Sequence, residues 1–410
     1  MLRMVLIIVA AIAVFALTAG ADDSGRIYGK ITTTDGDEFQ GFIRWDKNEG
    51  SWVDILDATK EMPKEKAKKS RRKYRDRETT IEIFGLKIGS SGSSTNWWST
   101  AQSGIRFGHI KMLEVIDDDG ALLTLKSGEE VEFREGSTDI GDGIREIVIE
   151  DENDGEIELV WDDLEMIEFM DAPTDEESIF GERLYGTLMT RRGDEFTGWV
   201  CWDVDELFPV DILDGEDNRR SRKIKFGKIA SIERYSSSGA TVTLKNGDEV
   251  VLRGTNDVDD DNRGIAIMDP ALGQVIVKWD EFDRLDFTDS PEPPVRYKDF
   301  DGGRHLRGTV YDEDGDSFEG AITWDNDEEF TWELLDGDYR DISFDIEFGF
   351  IKSIEKKSFR SSIVTLRDGR SFRLSGSNDI DEDNRGIFIS LIDGDEVEVE
   401  WEDFQRVEFD

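Results

Sequence analysis

Residues 193–203 read GDEFTGWVCWD, and the same frame returns as GDEFQGFIRWD at 36–46 and as GDSFEGAITWD at 315–325. The frame spells two strands and a tight turn. Asp35-Gly36, Arg192-Gly193 and Asp314-Gly315 supply turn residues that tolerate positive φ, while Phe39, Gly41, Ile43 and Trp45 alternate with other residues at the period of a pleated strand. Working outward, Trp202 to Trp324, Gly247 to Gly369 and Trp279 to Trp401 each span 122 positions, whereas Trp45 to Trp202 spans 157. The spacing predicts three tandem copies of about 120 residues, at 26–170, 183–288 and 304–410, the first with an insertion at about 58–104. The acidic, proline-bearing stretches 171–182 and 289–303 read as linkers.

A fainter period runs inside each copy. Gly193 and Gly247, like Gly315 and Gly369, are 54 positions apart, and Phe226 and Trp279, like Phe348 and Trp401, are 53 apart. Each copy is thus expected to be doubled, giving six units of roughly 55 residues. The units close on an aromatic-x-x-apolar-x-x-apolar segment such as Trp161-Leu164-Ile167 or Trp279-Phe282-Leu285. Only about two helical turns fit there, so a short 3₁₀ turn leading into a strand is expected. No stretch after the first 21 residues sustains a helical apolar period for three turns, and the expected class is all-β.

The stretch Asp35 to Asp46, of the form Asp-Gly-x-x-Phe-x-Gly-x-apolar-x-aromatic-Asp, resembles the first motif of Sm-like small β-barrels, and Phe107-Gly108-x-Ile110 is loosely similar to the second. SH3-like barrels share much of the pattern. The resemblance covers about half of each copy and implies a strongly bent five-stranded barrel in each unit, so that every copy is a pair of SH3/Sm-like barrels. A six-bladed propeller-like or β-sandwich arrangement of the units is the alternative. Two departures separate the chain from the family: one residue fewer lies between the second glycine and the aromatic-Asp pair, and Gly50, Leu207 and Glu329 stand where the family places its base-holding asparagine. The family's RNA-binding role therefore does not carry over.

Charge points the same way. The formal net charge is -45, the wrong sign for nucleic acid or an anionic lipid surface, which leaves cations, basic proteins or neutral polymers as partners. At the start of the chain Arg3, an apolar run from Met4 to Leu17 and the small residues Ala19-Gly20-Ala21 read as a signal peptide cleaved near Ala21, with periplasmic or extracellular export. The run is shorter than the about 20 residues of a membrane span, so no stable membrane insertion is expected after cleavage, with a retained anchor as the alternative. The single cysteine, Cys201, lies in a strand pattern and offers no disulfide.

Three sets of residues are candidates for a site. In GTNDVDDDNRGI (254–265) and GSNDIDEDNRGI (376–387), Asp257, Asp259 and Asp261, and Asp379, Asp381 and Asp383, alternate as the first carboxylates of a calcium loop do. An EF-hand would then need glycine and glutamate where Asn262 and Met268, or Asn384 and Ser390, stand, so a tight loop capped by its own Asx side chains is the competing reading. A second acidic cluster follows each landmark tryptophan, at Asp46 to Glu49, Asp203 to Glu206 and Asp325 to Glu329, and serves either as further ligands or as solvated connections. Within the insertion, Lys60 to Arg77 holds ten basic residues, Arg71, Arg72 and Lys73 among them, and Trp97-Trp98 sits in a Gly/Ser-rich run. That arm is expected either to dock on an acidic surface or polymer, or to be a charge-balanced loop.

Catalytic constellations are missing from the sequence: His109 and His305 occupy non-equivalent places, and no Gly-x-Ser-x-Gly, phosphate loop or zinc spacing occurs. The expected function is a non-enzymatic interaction or structural scaffold, with structural calcium as its one cofactor. A carbohydrate-binding or carbohydrate-active envelope protein is the alternative.

Overall fold

The computed structural model describes residues 24–61, 82–83, 86–87, 100–134, 137–151, 153–173, 177–292 and 294–410. The expected signal peptide, most of the insertion, and with it Arg71, Arg72, Lys73, Trp97 and Trp98, lie outside the described residues. The first segment runs β1 (Tyr28–Thr33), β2 (Glu38–Trp45), β3 (Ile55–Glu61), β4 (Glu82–Ile83), β5 (Leu86–Lys87), β6 (Thr100–Arg106), β7 (Ile110–Asp117), β8 (Gly120–Leu125), β9 (Glu130–Arg134), β10 (Ile147–Asp151), β11 (Gly155–Leu159) and β12 (Leu164–Phe169). The second runs β13 (Tyr185–Thr190), β14 (Glu195–Trp202), β15 (Ile212–Asp217), β16 (Arg220–Lys225), β17 (Ile229–Ser236), β18 (Gly239–Leu244), β19 (Glu249–Leu252), β20 (Ile265–Asp269), β21 (Gly273–Val277) and β22 (Phe282–Thr288). The third runs β23 (Arg307–Asp312), β24 (Ser317–Thr323), β25 (Leu334–Tyr339), β26 (Ile342–Glu347), β27 (Ile351–Ser358), β28 (Ser361–Leu366), β29 (Ser371–Leu374), β30 (Ile387–Leu391), β31 (Glu396–Val399) and β32 (Phe404–Phe409).

All these strands pair antiparallel, and the described chain is all-β with short 3₁₀ turns. The expected turn into a strand is seen where Trp161–Asp163 leads into β12. The turn glycines take the predicted conformation, with φ of 85° at Gly36, 88° at Gly193 and 93° at Gly315. The second glycine of the frame has a different cause: a Cβ on Gly198 would stand 2.3 Å from the Met268 carbonyl oxygen of the neighbouring strand. Gly198 faces Gly186 across the β13–β14 hairpin, and a Cβ on Gly186 would stand 2.5 Å from the Asp286 carbonyl oxygen, so the two bare backbone positions let β20 and β22 approach the hairpin closely.

The main sheets contain the runs β11-β10-β2-β1-β12-β7-β8-β9, β21-β20-β14-β13-β22-β17-β18-β19 and β31-β30-β24-β23-β32-β27-β28-β29, which share one order once β4 and β5 of the first segment are left out of the count; the first run continues into β3 and β6, and the second into β26 and β25. None closes on itself, so the small barrels expected from the sequence do not form. At one sheet edge the pairing runs on into the next segment instead. The outer edge of β21 pairs with β26 of the next segment, in register from Gly273↔Ile346 to Val277↔Ile342, and all five β21 residues are buried. Its positional counterpart β11 pairs only with β10 and is largely exposed.

One buried apolar cluster spans the second and third segments, and another joins the first to residues of both, including Trp199, Phe208 and Trp332. Tyr297 and Phe300, in the stretch 289–303, belong to the second cluster. The Tyr297 ring lies 4.5 Å from that of Trp52, and its hydroxyl donates to the Ile110 carbonyl at 2.9 Å. Buried ion pairs add to the contact: Arg183 with Asp54, and Arg106 with Glu347 at 3.3 Å. Among the described residues no helix is long and apolar enough to cross a membrane.

Candidate functional site

Each hairpin frame ends in Trp-Asp-x-x-Glu, at 45–49, 202–206 and 324–328. Directly after the tryptophan the chain takes two left-handed residues in succession: Asp46 and Lys47 at φ 40° and 72°, Asp203 and Val204 at 50° and 54°, Asp325 and Asn326 at 44° and 69°. Such angles are costly for residues with a Cβ, most of all for a β-branched one, and persist only where surrounding contacts enforce them. The contacts are the same three times.

The indole nitrogen of the tryptophan donates to a carbonyl in the aspartate loop: Trp45 to Asp139 at 3.0 Å, Trp202 to Asp257 at 2.9 Å and Trp324 to Asp379 at 2.9 Å. The aspartate after the tryptophan is fully buried and accepts from an arginine in that loop. Asp203 accepts the Arg263 backbone N–H at 2.6 Å and its Nη2 at 3.0 Å, Asp46 accepts Arg145 Nε at 3.1 Å, and Asp325 accepts Arg385 Nε at 2.7 Å. The loop's first aspartate in turn accepts a strand amide: Asp57 N–H to Asp139 at 2.8 Å, Asp214 N–H to Asp257 at 2.5 Å and Asp336 N–H to Asp379 at 2.7 Å. Turn, loop and strand are thereby tied through carboxylates.

The alternating aspartates divide their roles accordingly. Asp257 and Asp379 point inward and are 5% and 3% exposed. Asp259 and Asp381 accept the amides of Asp261 and Asp383, at 3.1 and 2.9 Å, as Asx turns do. Asp261 is exposed and Asp383 half-buried. Of these six, only Asp379 lies in a group whose carboxylates converge: one oxygen each from Asp325, Glu328 and Asp379 lie within 4.8 Å of one another, all buried. The two acidic clusters that stand far apart in sequence thus form one site. The sequence signal for it is the pairing of Trp-Asp-x-x-Glu with the later Asp-apolar-Asp turn, which only the fold brings together.

Burial sets the protonation of these groups. It drives Glu49, Glu328 and Asp379 well above the usual carboxylate range, and lifts Glu206 to about 10 and Asp139 to about 8. Asp325 rises less, to about 7, because Arg385 opposes the burial. The chain has no match among protein-family models, curated proteins or solved structures.

The landmark tryptophans are core. Trp45, Trp202 and Trp324 are wholly buried, and Trp161, Trp279 and Trp401 are 2% exposed, so none can serve as a ligand platform. Cys201 is buried, which pushes its thiol well up. His109 accepts the Gly302 amide at 3.2 Å and packs against Phe300. The described start of the basic arm turns inward: Lys60 pairs with Glu333 of the third segment and donates to the Asp327 carbonyl at 2.7 Å.

Proposed function

We propose that the protein is an exported, non-enzymatic scaffold built from three copies of one ten-stranded unit, the first with β4 and β5 inserted and each a doubled smaller motif, that presents its outer loops to a protein or a neutral polymer. The observation that carries this reading is the threefold use of the same carboxylates as ties between turn, loop and strand. Groups that would be available to chemistry in an active site here hold backbone amides and arginines, and they do so in every segment. The shared strand order supports the repeat. For contact, the third segment offers an open groove of about 610 Å³ lined by Tyr339, Arg340, Arg360, Arg373 and Asp381. Tyrosine and arginine are the residues enriched in protein interfaces, which favours a protein partner there.

The test is cross-linking of the full chain to envelope extract, run beside a glycan array and a panel of chromogenic glycosides, esters and phosphoesters. The expected result is no turnover, with a contact that Arg360→Ala/Arg373→Ala removes. Turnover of any substrate in the panel would overturn the scaffold reading.

A further inference from the structure

We propose that Asp325, Glu328 and Asp379 form a binding site for one hard divalent cation of the calcium type. Three observations carry it. Calcium bonds to oxygen are about 2.3–2.6 Å long, so ligands on opposite sides of the ion stand about 4.6–5.2 Å apart; the three buried carboxylate oxygens, all within 4.8 Å of one another, fit such a shell. Second, Glu328 is 7% exposed and its Oε2 is buried without a hydrogen-bond partner. A carboxyl oxygen left so in a dry interior is costly, and a cation gives it a partner once the carboxyl has released its proton to solvent. Third, Asp325, Asp327, Glu328 and Asp379 face Arg385, which pairs with Asp325 and Asp327. One guanidinium thus stands against four carboxyl groups, and a divalent cation takes the place of the protons that burial favours on them.

The ligands are also held in advance. Arg385 fixes Asp325 from one side, the Asp336 amide fixes Asp379, and the left-handed turn at Asp325-Asn326 sets where Glu328 falls. The other two segments supply an internal comparison. Glu49 and Glu206 each have a buried Oε2 without a partner, yet among the described residues neither belongs to a converging group of three. In the first segment the loop arginine reaches out of its own turn, Arg145 bridging Asp46 to Asp205; in the second, Arg263 holds Asp203 and Asp205 as Arg385 holds Asp325 and Asp327, but the Asp205 side chain is 28% exposed. In the third segment the corresponding acid, Asp327, is itself 4% exposed and adds its charge to the site.

The inference rests on reading these turns as structural ties and names the ion one of them takes. The experiment uses the full chain stripped with chelator, titrated with calcium by calorimetry and with terbium read by tryptophan-sensitised emission. The expected result is uptake of a single ion per chain, a rise in melting temperature, and displacement of terbium by calcium. Glu328→Gln should weaken uptake by about tenfold or more, since one charged ligand is lost, whereas Glu206→Gln should leave stoichiometry and affinity unchanged. No heat, no saturable terbium emission and no melting shift up to about 10 mM calcium, beyond the weakest natural sites, would overturn the site, as would a Glu328→Gln protein that titrates like the wild type. Should that variant fail to fold, the wild-type terbium titration decides alone: emission saturating at one equivalent and displaced by calcium supports the site, and its absence overturns it. Loss of the ion leaves the scaffold reading standing, and substrate turnover would overturn the scaffold while leaving the ion.

Discussion

Glu206 shows what a single buried carboxyl does to this fold. Burial lifts its pKa to about 10, with like charges at Asp257 and Asp203 adding to the effect. Asp257 rises to about 6, Asp325 to about 7 and Asp139 to about 8 for the same first cause. A carboxyl whose pKa is higher in the folded chain binds its proton more tightly there than in the unfolded chain. Its contribution is therefore fully present below the unfolded value and is lost as pH climbs through the folded one. In cation-free buffer the melting temperature should fall steadily between about pH 4 and pH 10, from the ordinary carboxylate value to the folded value of Glu206. Glu206→Gln, which keeps the shape and removes the titration, should flatten the upper part of that slope. A profile that is level or rises toward alkali would contradict the assignment. The residue-scale chemistry was half legible in the sequence. Alternating aspartates announced a loop with acidic purpose, but the burial of Glu206 and Glu328 depends on a loop 51 positions further along, and that of Glu49 on one 90 positions further along, and periodicity does not carry that.

At the scale of elements, the pairing of β21 with β26 decides the architecture. Gly273 opens β21 at φ 141°, and a Cβ there would stand 2.0 Å from the Asp345 carbonyl of the facing strand. Gly273→Val should therefore separate these edges while leaving the β13–β14 hairpin in place. Hydrogen exchange would read this as faster exchange along β26 with unchanged protection in β14; equal protection in both strands would mean that the splice tolerates the change. The hairpins themselves were legible, because a turn glycine and a two-residue alternation are local facts. The closed barrel was wrongly expected for a related reason: the hairpin pattern says how neighbouring strands pair and nothing of where an outer edge goes. That edge is settled by a strand about 70 positions away, whose own sequence reads equally well as a free hairpin.

For the whole molecule, the decisive fact is that buried clusters cross the segment boundaries. Trp52 meets Tyr297, Arg183 is buried against Asp54, and the cluster of the second segment continues without a break into the third. Calorimetry should show one cooperative transition, with calorimetric and van't Hoff enthalpies in agreement. Three resolved transitions would mean that the segments melt as separate bodies. Cleavage near Pro291 should likewise leave fragments that migrate together, since Tyr297 and Phe300 are anchored in the core rather than strung between domains. The sequence marked that stretch as a linker by its prolines and acids, and missed the two aromatics that dock it.

The ion pairs between turns have a consequence best put in genetic terms. Arg145 of the first segment holds Asp46 and also Asp205 of the second, while Lys60 reaches Glu333 of the third. A charge change in one turn is thus felt by a turn elsewhere in the chain, and its effect depends on what stands there. The turns of the first and second segments should therefore be epistatic to one another. Substitutions that preserve the fold should come as pairs, such as a change at Asp205 matched by one at Arg145, and the segments inherit one another's histories.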